Sequence, residues 1–360
     1  MPPSLFVEVL PRLGCGNAAI TGPDVEPEDI KVRDNTVVVG DNRIRMPVNY
    51  QFDDILTGLQ REDNVISFRM KFKHNERFPV LIENSENGIY NREKIFAVRP
   101  RLTKGQLYNI VCKCGKVIGS ICPDRILPLP SLGWRSHGLE WFCCVKHSAW
   151  EVPKESQGRD ILYNAFSVSI KDSNILQAAC AFQLCDLKTR IVMVKCLVCE
   201  RDLGDMDEHG MASLWRHNIA FSAVSPDTTG TDHDQVLCDP NVRSASDCFK
   251  RVIRAYVREK IEKMPKFVIR NRKGDGYLLW AFDSNLTVLT GDQEAGIKDS
   301  GVMKILFKTV GQEDQGENID TLFLSDELYE AGVEDMEQST NSLPQSFRFI
   351  NGYQCAYIFK

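Results

Sequence analysis

Two short cysteine motifs carry the clearest chemical signal in the sequence. They are VCKCGKVIG at residues 111–119 and KCLVCERDLG at residues 195–204. In each motif a strand-like run ends at a cysteine, a second cysteine follows, and glycine relieves the backbone where the chain reverses. Two such hairpin turns supply four thiolates, which is the ligand set of a closed, structural zinc site. The predicted zinc ligands are Cys112, Cys114, Cys196 and Cys199.

The zinc prediction has an alternative, because free cysteines also occur as small buried apolar residues. The two-residue gap of the second pair is a strong metal signal, whereas the one-residue gap between Cys112 and Cys114 is a less common chelate geometry. Three further cysteines are replacements if Cys112 is not a ligand: Cys122, Cys180 and Cys185. The sequence has thirteen cysteines and does not start like a secretory signal. We therefore expect a reducing compartment, cytoplasm or nucleus, where paired cysteines indicate metal rather than disulfides.

A third cluster, WFCCVKH at residues 141–147, permits three interpretations. Cys143, Cys144 and His147 complete a second metal site, or they form an exposed metal-seeking tip beside an aromatic docking surface, or the tryptophans are core and the cysteines inert. The tryptophans concerned are Trp134, Trp141 and Trp150. The preceding run ILPLPS, which includes Pro128 and Pro130, is typical of an extended, polyproline-like segment.

The elements around these motifs are mostly strands. Residues 35–48 read as a hairpin about Gly40-Asp41-Asn42, and residues 64–73 alternate apolar and charged side chains as a half-buried strand does. One clear amphipathic helix is predicted within residues 244–264, capped by Ser244 or Ser246 and ended by Pro265. Further strands, a short helix near residues 325–337 and a closing strand are expected after it.

The predicted fold class is α+β, with a β-rich N-terminal half that holds the zinc-knuckle site and a smaller α+β C-terminal half. We divide the chain into a β-rich zinc-knuckle domain at 1–224, a flexible loop or linker at 225–243, and an α+β region at 244–360. The net charge is −5, which argues against a broad nucleic-acid-binding face. No apolar run is long enough to cross a membrane.

At this point the residues resemble a known family. Cys-x-Cys-Gly, then ILPLPS, Trp134 and Glu140-Trp141-Phe142-Cys143, is similar to the signature of the HECT-like ubiquitin ligases that bind ubiquitin-conjugating enzymes. The second cysteine motif fits the family's second knuckle, and SLPQSFRFINGYQCAYIF fits its C-terminal tail loosely. Two positions depart from the family pattern: the first knuckle is one residue shorter, and Cys144 stands where the family has histidine.

The resemblance implies two functions. One is ubiquitin transfer, in which the protein binds a ubiquitin-conjugating enzyme and promotes ubiquitination of itself and of protein substrates such as cyclins. The other is non-catalytic: the protein stabilises the metallo-β-lactamase endonuclease of pre-mRNA 3′-end processing. In that interpretation its Pro-rich Trp-Cys segment docks on the nuclease and Cys143 supplies a thiolate to the nuclease's zinc centre.

Whether the chain is an enzyme depends on a transfer cysteine, which must be exposed with a lowered pKa. Cys355 is the candidate in the HECT-like tail. It alternates with Tyr353 and Tyr357 on one face of a predicted strand, so the simpler interpretation is a packed strand residue. Cys248 begins the amphipathic helix and is interpreted as a helix-end residue. A ligase that holds a loaded conjugating enzyme near its substrate, without a nucleophile of its own, stays open as an alternative.

Overall fold

The computed structural model of the protein describes residues 2–23, 25–73, 100–128, 159–164, 167–171, 174–175, 178–186, 191–207, 210–224, 235–237, 244–259, 265–271, 273–311 and 319–359. Strands are the commonest element in these residues, so the β-rich character predicted for the N-terminal half is confirmed, and strands also outnumber the α-helices in the C-terminal half predicted to be α+β. The strands up to residue 128 are β1 (Ser4–Leu10), β2 (Cys15–Thr21), β3 (Ile30–Arg33), β4 (Thr36–Val39), β5 (Asn42–Arg45), β6 (Phe52–Glu62), β7 (Val65–Phe72), β8 (Tyr108–Cys112), β9 (Val117–Ile121) and β10 (Arg125–Pro128).

After residue 159 the strands continue, and three α-helices occur among the described residues. The strands are β11 (Asp160–Tyr163), β12 (Ser167–Lys171), β13 (Cys180–Asp186), β14 (Ile191–Cys196), β15 (Asp202–Met206), β16 (Met211–Trp215), β17 (Ile219–Ala223), β18 (Gln235–Leu237), β19 (Lys266–Arg270), β20 (Gly276–Asp292), β21 (Gly296–Val310), β22 (Asp320–Phe323), β23 (Phe349–Ile350) and β24 (Tyr353–Phe359). The helices are α1 (Ala245–Glu259), α2 (Asp326–Ser342) and α3 (Gln345–Arg348).

The chain forms two compact units. One contains Met1–Ile89 together with Lys260–Lys360, and the other contains Tyr90–Glu259. The first unit is therefore built from two stretches that are far apart in sequence, and the second is inserted between them. The division at residues 225–243, which was placed by composition, stays a prediction.

A ten-stranded sheet forms the first unit, and its main path runs β23-β24-β21-β20-β1-β2-β7-β6. The long strand β20 contains two apolar runs, and its register with β21 is irregular at the polar residues between them. A three-stranded sheet, β3-β4-β5, contributes its apolar side chains to a core shared with β1, β2 and β7. The predicted hairpin about residues 40–42 is the β4–β5 connection.

The helices follow the sequence signals at their starts. In α1 the Ser244 hydroxyl accepts a hydrogen bond from the backbone N–H of Asp247, so Ser244 is the cap. Ser325 caps α2 in the same way through Leu328. Strand β23 is short and pairs only with the start of β24. Further along β24, the Thr340 hydroxyl of α2 donates a hydrogen bond to the backbone carbonyl of Cys355 at 2.8 Å. A side-chain hydroxyl thus takes the place of a neighbouring strand at this backbone group.

Two sheets form the second unit. One has seven strands in the order β10-β11-β12-β16-β15-β14-β13, and the other has four in the order β18-β17-β8-β9. Both contribute to a single core cluster that includes Ile110, Ile118, Val194 and Phe221. The segment Arg125–Pro128, expected to be extended, is a paired edge strand that runs parallel to β11.

None of the helices in the described residues combines the length and the apolar character that a membrane crossing requires.

Candidate metal centre

Both cysteine motifs lie at the turns of β-hairpins in the second unit. Cys112 is the last residue of β8, and β9 begins at Val117. Cys196 is the last residue of β14, and β15 begins at Asp202. The two hairpins belong to different sheets. A metal held between them would therefore crosslink both sheets of the unit.

The four sulfur atoms of these motifs lie within 4.8 Å of one another. Cys112 Sγ is 3.6 Å from Cys199 Sγ, and Cys114 Sγ is 3.7 Å from Cys196 Sγ. A tetrahedral zinc ion with Zn–S bonds of about 2.3 Å separates its sulfur ligands by about 3.8 Å. The spacing therefore fits a zinc ion, and the four cysteines could hold one without a fifth ligand.

The shorter first motif differs from the second by one residue inside the turn. The Cys112 carbonyl accepts from the N–H of Gly115, and the Cys112 N–H donates to the carbonyl of Lys116. In the second turn the Cys196 carbonyl accepts from the N–H of Glu200, and the Cys196 N–H donates to the carbonyl of Arg201. Each bond thus spans one residue more in the second turn. The missing residue lies between the cysteines, and the sulfur atoms still converge.

The residue after the second cysteine has a left-handed backbone in both turns. Gly115 has φ 91°, and Glu200 takes the equivalent position in the second turn with φ 57°. The glycines that end the motifs, Gly119 and Gly204, do not relieve the chain reversal, although the sequence predicts that they do. A Cβ on Gly119 would lie 2.2 Å from the carbonyl oxygen of Asn174, and one on Gly204 would lie 2.1 Å from that of Ser213. These glycines permit the close approach of a neighbouring backbone.

Asn218 joins the two hairpins and carried no signal in the sequence. It is fully buried in the turn before β17. Its carbonyl accepts from the backbone N–H of Lys113 at 3.0 Å, and its side-chain amide donates to the carbonyl of Asp202 at 2.7 Å. One residue therefore fixes a position in each cysteine turn. An isolated asparagine after Trp-Arg-His gives no pattern from which this role could be predicted.

Burial and hydrogen bonding set the four thiols apart. Cys112 and Cys196 are buried, and Cys114 and Cys199 are exposed. Burial raises the pKa of Cys112 well above its ordinary value. The backbone N–H of Lys116 stabilises the Cys114 thiolate and lowers its pKa to about 7. Thiols bound to a divalent metal ion lose their protons, so a bound metal would lower the pKa of Cys112 despite the burial of this residue.

The three replacement cysteines suggested by the sequence lie outside the quartet. Cys180 is opposite Cys196 in the β13–β14 register, and its Sγ lies 4.0 Å from the carbonyl of Ile118. Burial raises the Cys180 pKa to about 11. Cys122 follows β9 and is half-buried. Cys185 lies on β13. Cys112 occupies the fourth corner of the sulfur cluster, so the geometry requires no replacement for it.

Of the predicted docking segment, the structure describes Pro128. It is half-buried at the end of β10 and lies opposite Tyr163. The remaining residues, Pro130, Trp134, Trp141, Cys143, Cys144 and His147, lie outside the described residues, as does Trp150. The three interpretations of that cluster therefore stay predictions.

Cys355 lies in the first unit, in the middle of β24 and opposite Leu306. It is fully buried in the same core cluster as Tyr357. Burial raises the pKa of its thiol to about 11, against a smaller lowering by Lys304. A transfer nucleophile needs access and a lowered pKa, and this environment provides neither. Cys248 is also buried, on the first turn of α1.

Comparison with known proteins gives one result. The model of the family described as HECT-like ubiquitin-conjugating enzyme (E2)-binding matches residues 8–355, which includes both hairpins and Cys355. Searches of curated proteins and of solved structures find no match. The match spans nearly the whole chain and agrees with the resemblance seen in its cysteine motifs. The chain therefore belongs to the HECT-like ubiquitin-conjugating enzyme (E2)-binding family.

Proposed function

We propose that the protein is a HECT-like ubiquitin-protein ligase that binds a loaded ubiquitin-conjugating enzyme and promotes ubiquitination of itself and of protein substrates such as cyclins. The observation that carries this proposal is the family match over residues 8–355. Zinc is the metal we assign to Cys112, Cys114, Cys196 and Cys199. Bound there, zinc would crosslink the two hairpins and would supply no open coordination position for catalysis.

The proposed ligase works by presentation, without a covalent intermediate on Cys355. The burial of Cys355 and the raised pKa of its thiol support this choice. In such a mechanism the conjugating enzyme keeps the thioester, and the ligase orients it towards a substrate amine. The amine attacks the thioester carbonyl, the enzyme's cysteine leaves as thiolate, and the amine proton passes to solvent.

The apolar stripe of α1 packs within the fold and is not available to a conjugating enzyme. Phe249, Val252 and Ile253 are fully buried. Burial of the whole stripe leaves the polar side of α1 as its accessible surface, with Arg258 exposed. We therefore assign α1 a packing role and place no docking function on its apolar side.

The test is discharge of ubiquitin from a purified, thioester-loaded conjugating enzyme. Wild-type protein should accelerate transfer to free lysine, and Cys355→Ala should retain that activity. The control is Cys248→Ala, which removes a different buried cysteine. A reducible ubiquitin adduct on the wild type that disappears in Cys355→Ala would contradict presentation and indicate a covalent HECT mechanism. No acceleration by wild type with any conjugating enzyme would reject ligase activity.

A second candidate function is stabilisation of the pre-mRNA 3′-end-processing endonuclease through the Pro-rich Trp-Cys segment. The observation that favours it is the anchoring of β10, the strand that ends at Pro128. Arg125 makes two hydrogen bonds to the buried carboxylate of Asp160, at 2.9 and 2.6 Å. This bidentate pair gives the start of the segment a rigid base on the sheet edge.

Co-purification with the endonuclease tests the second function. Cys143→Ala should lower the yield of nuclease, because the proposed thiolate ligand is lost, while Cys122→Ala should leave it unchanged. A Cys143→Ala protein that recovers the nuclease at normal yield would count against the docking role.

A further inference from the structure

The outer face of the three-stranded sheet β3-β4-β5 carries an unusual set of charges. The inner face is apolar, with Val32, Val37 and Ile44 nearly or fully buried. The outer face presents four exposed cations, here called the basic face: Lys31, Arg33, Arg43 and Arg45. The strands themselves contain no acidic residue. The positive charge is therefore concentrated on one side of the sheet, although the whole chain has a net charge of −5.

The strand register arranges the basic face in two rows. Lys31 and Arg43 flank Val38, and Arg33 and Arg45 flank Thr36. Residues two apart on a strand are separated by roughly 7 Å, and residues two strands apart by roughly 10 Å. These separations are close to the screening length of about 8 Å at physiological salt. Like charges at these separations repel one another, and salt partly screens the repulsion.

Two exposed acidic residues, Asp34 and Asp41, border the basic face in its two turns, within the part of the chain that the structure describes. None of its four cations forms an ion pair there. The nearby Asp34, in the β3–β4 turn, contacts Lys73. The four cationic groups are therefore available to an external anion that bridges the two rows.

The composition of the face selects the kind of anion. Protein interfaces depend on aromatic or large apolar anchors, and the centre of this face holds only Thr36 and Val38. Unpaired nucleotides are bound by stacking on aromatic rings, which the three strands also lack. A double helix needs neither feature, because its phosphates are its outermost groups and its charge density is high.

We propose that the basic face binds the phosphate backbone of double-helical nucleic acid without reading its sequence. The guanidinium groups of Arg33, Arg43 and Arg45 suit phosphate oxygens through paired N–H donors, and Lys31 adds a point charge. This proposal differs from the expectation of no direct nucleic-acid contact, which rests on net charge. Net charge averages over the chain and does not report a local face.

The number of cations fixes the expected salt dependence. Four phosphate contacts predict that log K falls against log salt with a slope of about −3.6, from about −0.9 per contact on a duplex. Each cation removed should reduce the steepness by about 1. Because the contacts are to phosphate alone, RNA and DNA duplexes of unrelated sequence should bind with similar affinity.

Fluorescence anisotropy with short labelled RNA and DNA duplexes, between about 50 and 200 mM salt, tests the proposal. The test variant is Arg33→Gln with Arg45→Gln, which removes one row. The matched control is Arg101→Gln with Lys104→Gln, which removes two exposed cations from the second unit. Thermal melting checks that every variant folds. The expected result is a slope reduced by about 2 in the test variant and unchanged in the control.

Three outcomes would overturn the proposal: no duplex binding by wild type at low salt, equal loss of binding in the control, or a slope that does not change in the test variant. Two further probes decide the class of partner. If the protein binds no duplex but binds poly-glutamate, the partner is an acidic protein. If it binds no duplex but binds anionic phospholipid vesicles, the partner is a membrane surface. The proposal does not depend on ubiquitin transfer, so its failure would leave the ligase assignment untouched.

Discussion

The side-chain amide of Asn218 donates to the carbonyl oxygen of Asp202 at 2.7 Å. This bond ties the β16–β17 turn to the hairpin of the second cysteine pair, while the Asn218 carbonyl holds Lys113 in the first. The relative position of the two cysteine pairs therefore depends on a residue that is not a ligand. Such supporting residues commonly tune metal affinity as strongly as weak ligands do.

We predict that Asn218→Leu, which keeps the approximate size and the neutral charge but loses the amide donor, destabilises the protein by about 1–3 kcal/mol, the cost of leaving an acceptor unpaired. Chemical denaturation measures the change. Asn109→Leu, at a half-buried asparagine on β8, is the control and should have a smaller effect. Equal losses in the two variants would show that Asn218 has no special role in joining the hairpins.

Metal analysis of purified protein should find one zinc ion per chain. Cys112→Ser and Cys199→Ser should each lower zinc occupancy and the melting temperature, because a closed site has no spare ligand. Cys180→Ser, at a buried cysteine beside the quartet, should keep its zinc. Zinc retention should also weaken as pH falls, since the thiols must lose protons to bind. Full occupancy in Cys112→Ser would return Cys112 to the role of a buried apolar residue.

Gly204→Ala and Gly119→Ala should each destabilise the protein by more than about 1 kcal/mol, because a rigid backbone carbonyl occupies the space of the new methyl group. Gly276→Ala is the control. There the nearest atoms belong to the side chains of Arg270 and Val310, at 3.1 to 3.3 Å, so a shift of a few tenths of an ångström makes room for the methyl group. Thermal melting compares the three variants. A loss for Gly204→Ala no larger than that for Gly276→Ala would mean that the strands can separate at little cost.

These two cysteine turns show what local sequence can and cannot reveal. The strand-Cys-Cys-Gly pattern predicted both hairpins, because strand ends and turn residues are local features. It did not show that Gly119 and Gly204 face Asn174 and Ser213, since those contacts depend on the order of strands in each sheet. The alternation of Cys355 with Tyr357 suggests that Cys355 is buried. No local pattern predicts that Cys355 lies close to Glu8, near the other end of the sequence.

A buried ion pair in the first unit gives a further prediction. Lys304 Nζ lies 2.5 Å from Glu8 Oε1, and the Tyr357 hydroxyl donates to the same oxygen at 2.6 Å. Lys304→Met should cost about 3–5 kcal/mol, since it leaves a buried carboxylate without its cation. Adding Glu8→Gln should recover much of the loss. The control is Lys298→Met, at an exposed lysine on the same strand. A double variant as unstable as Lys304→Met would contradict this account.

The Cys355 thiol should make stability depend on pH in the alkaline range. Its folded-state pKa of about 11 lies above the ordinary 9.0, so the folded state holds the proton more tightly. The contribution is complete below pH 9.0 and is lost as the pH rises through about 11. Wild type should therefore lose up to about 3 kcal/mol relative to Cys355→Ala over that window, at about 1.4 kcal/mol per pKa unit. If the free energy of unfolding of the two proteins changes with pH in the same way, the Cys355 thiol has an ordinary pKa and this account is wrong.

The two-stretch construction of the first unit has a consequence for synthesis on the ribosome. In β1, Val7 pairs with Leu289 of β20, roughly 280 residues later. At a synthesis rate of roughly 5–20 residues per second, β20 is made between about 14 and 56 seconds after β1, and the edge of β1 that pairs with it stays unpaired for that time. The inserted unit emerges in full before that partner does. Translation thus imposes an order in which the inserted unit can fold first and the surrounding sheet is completed last.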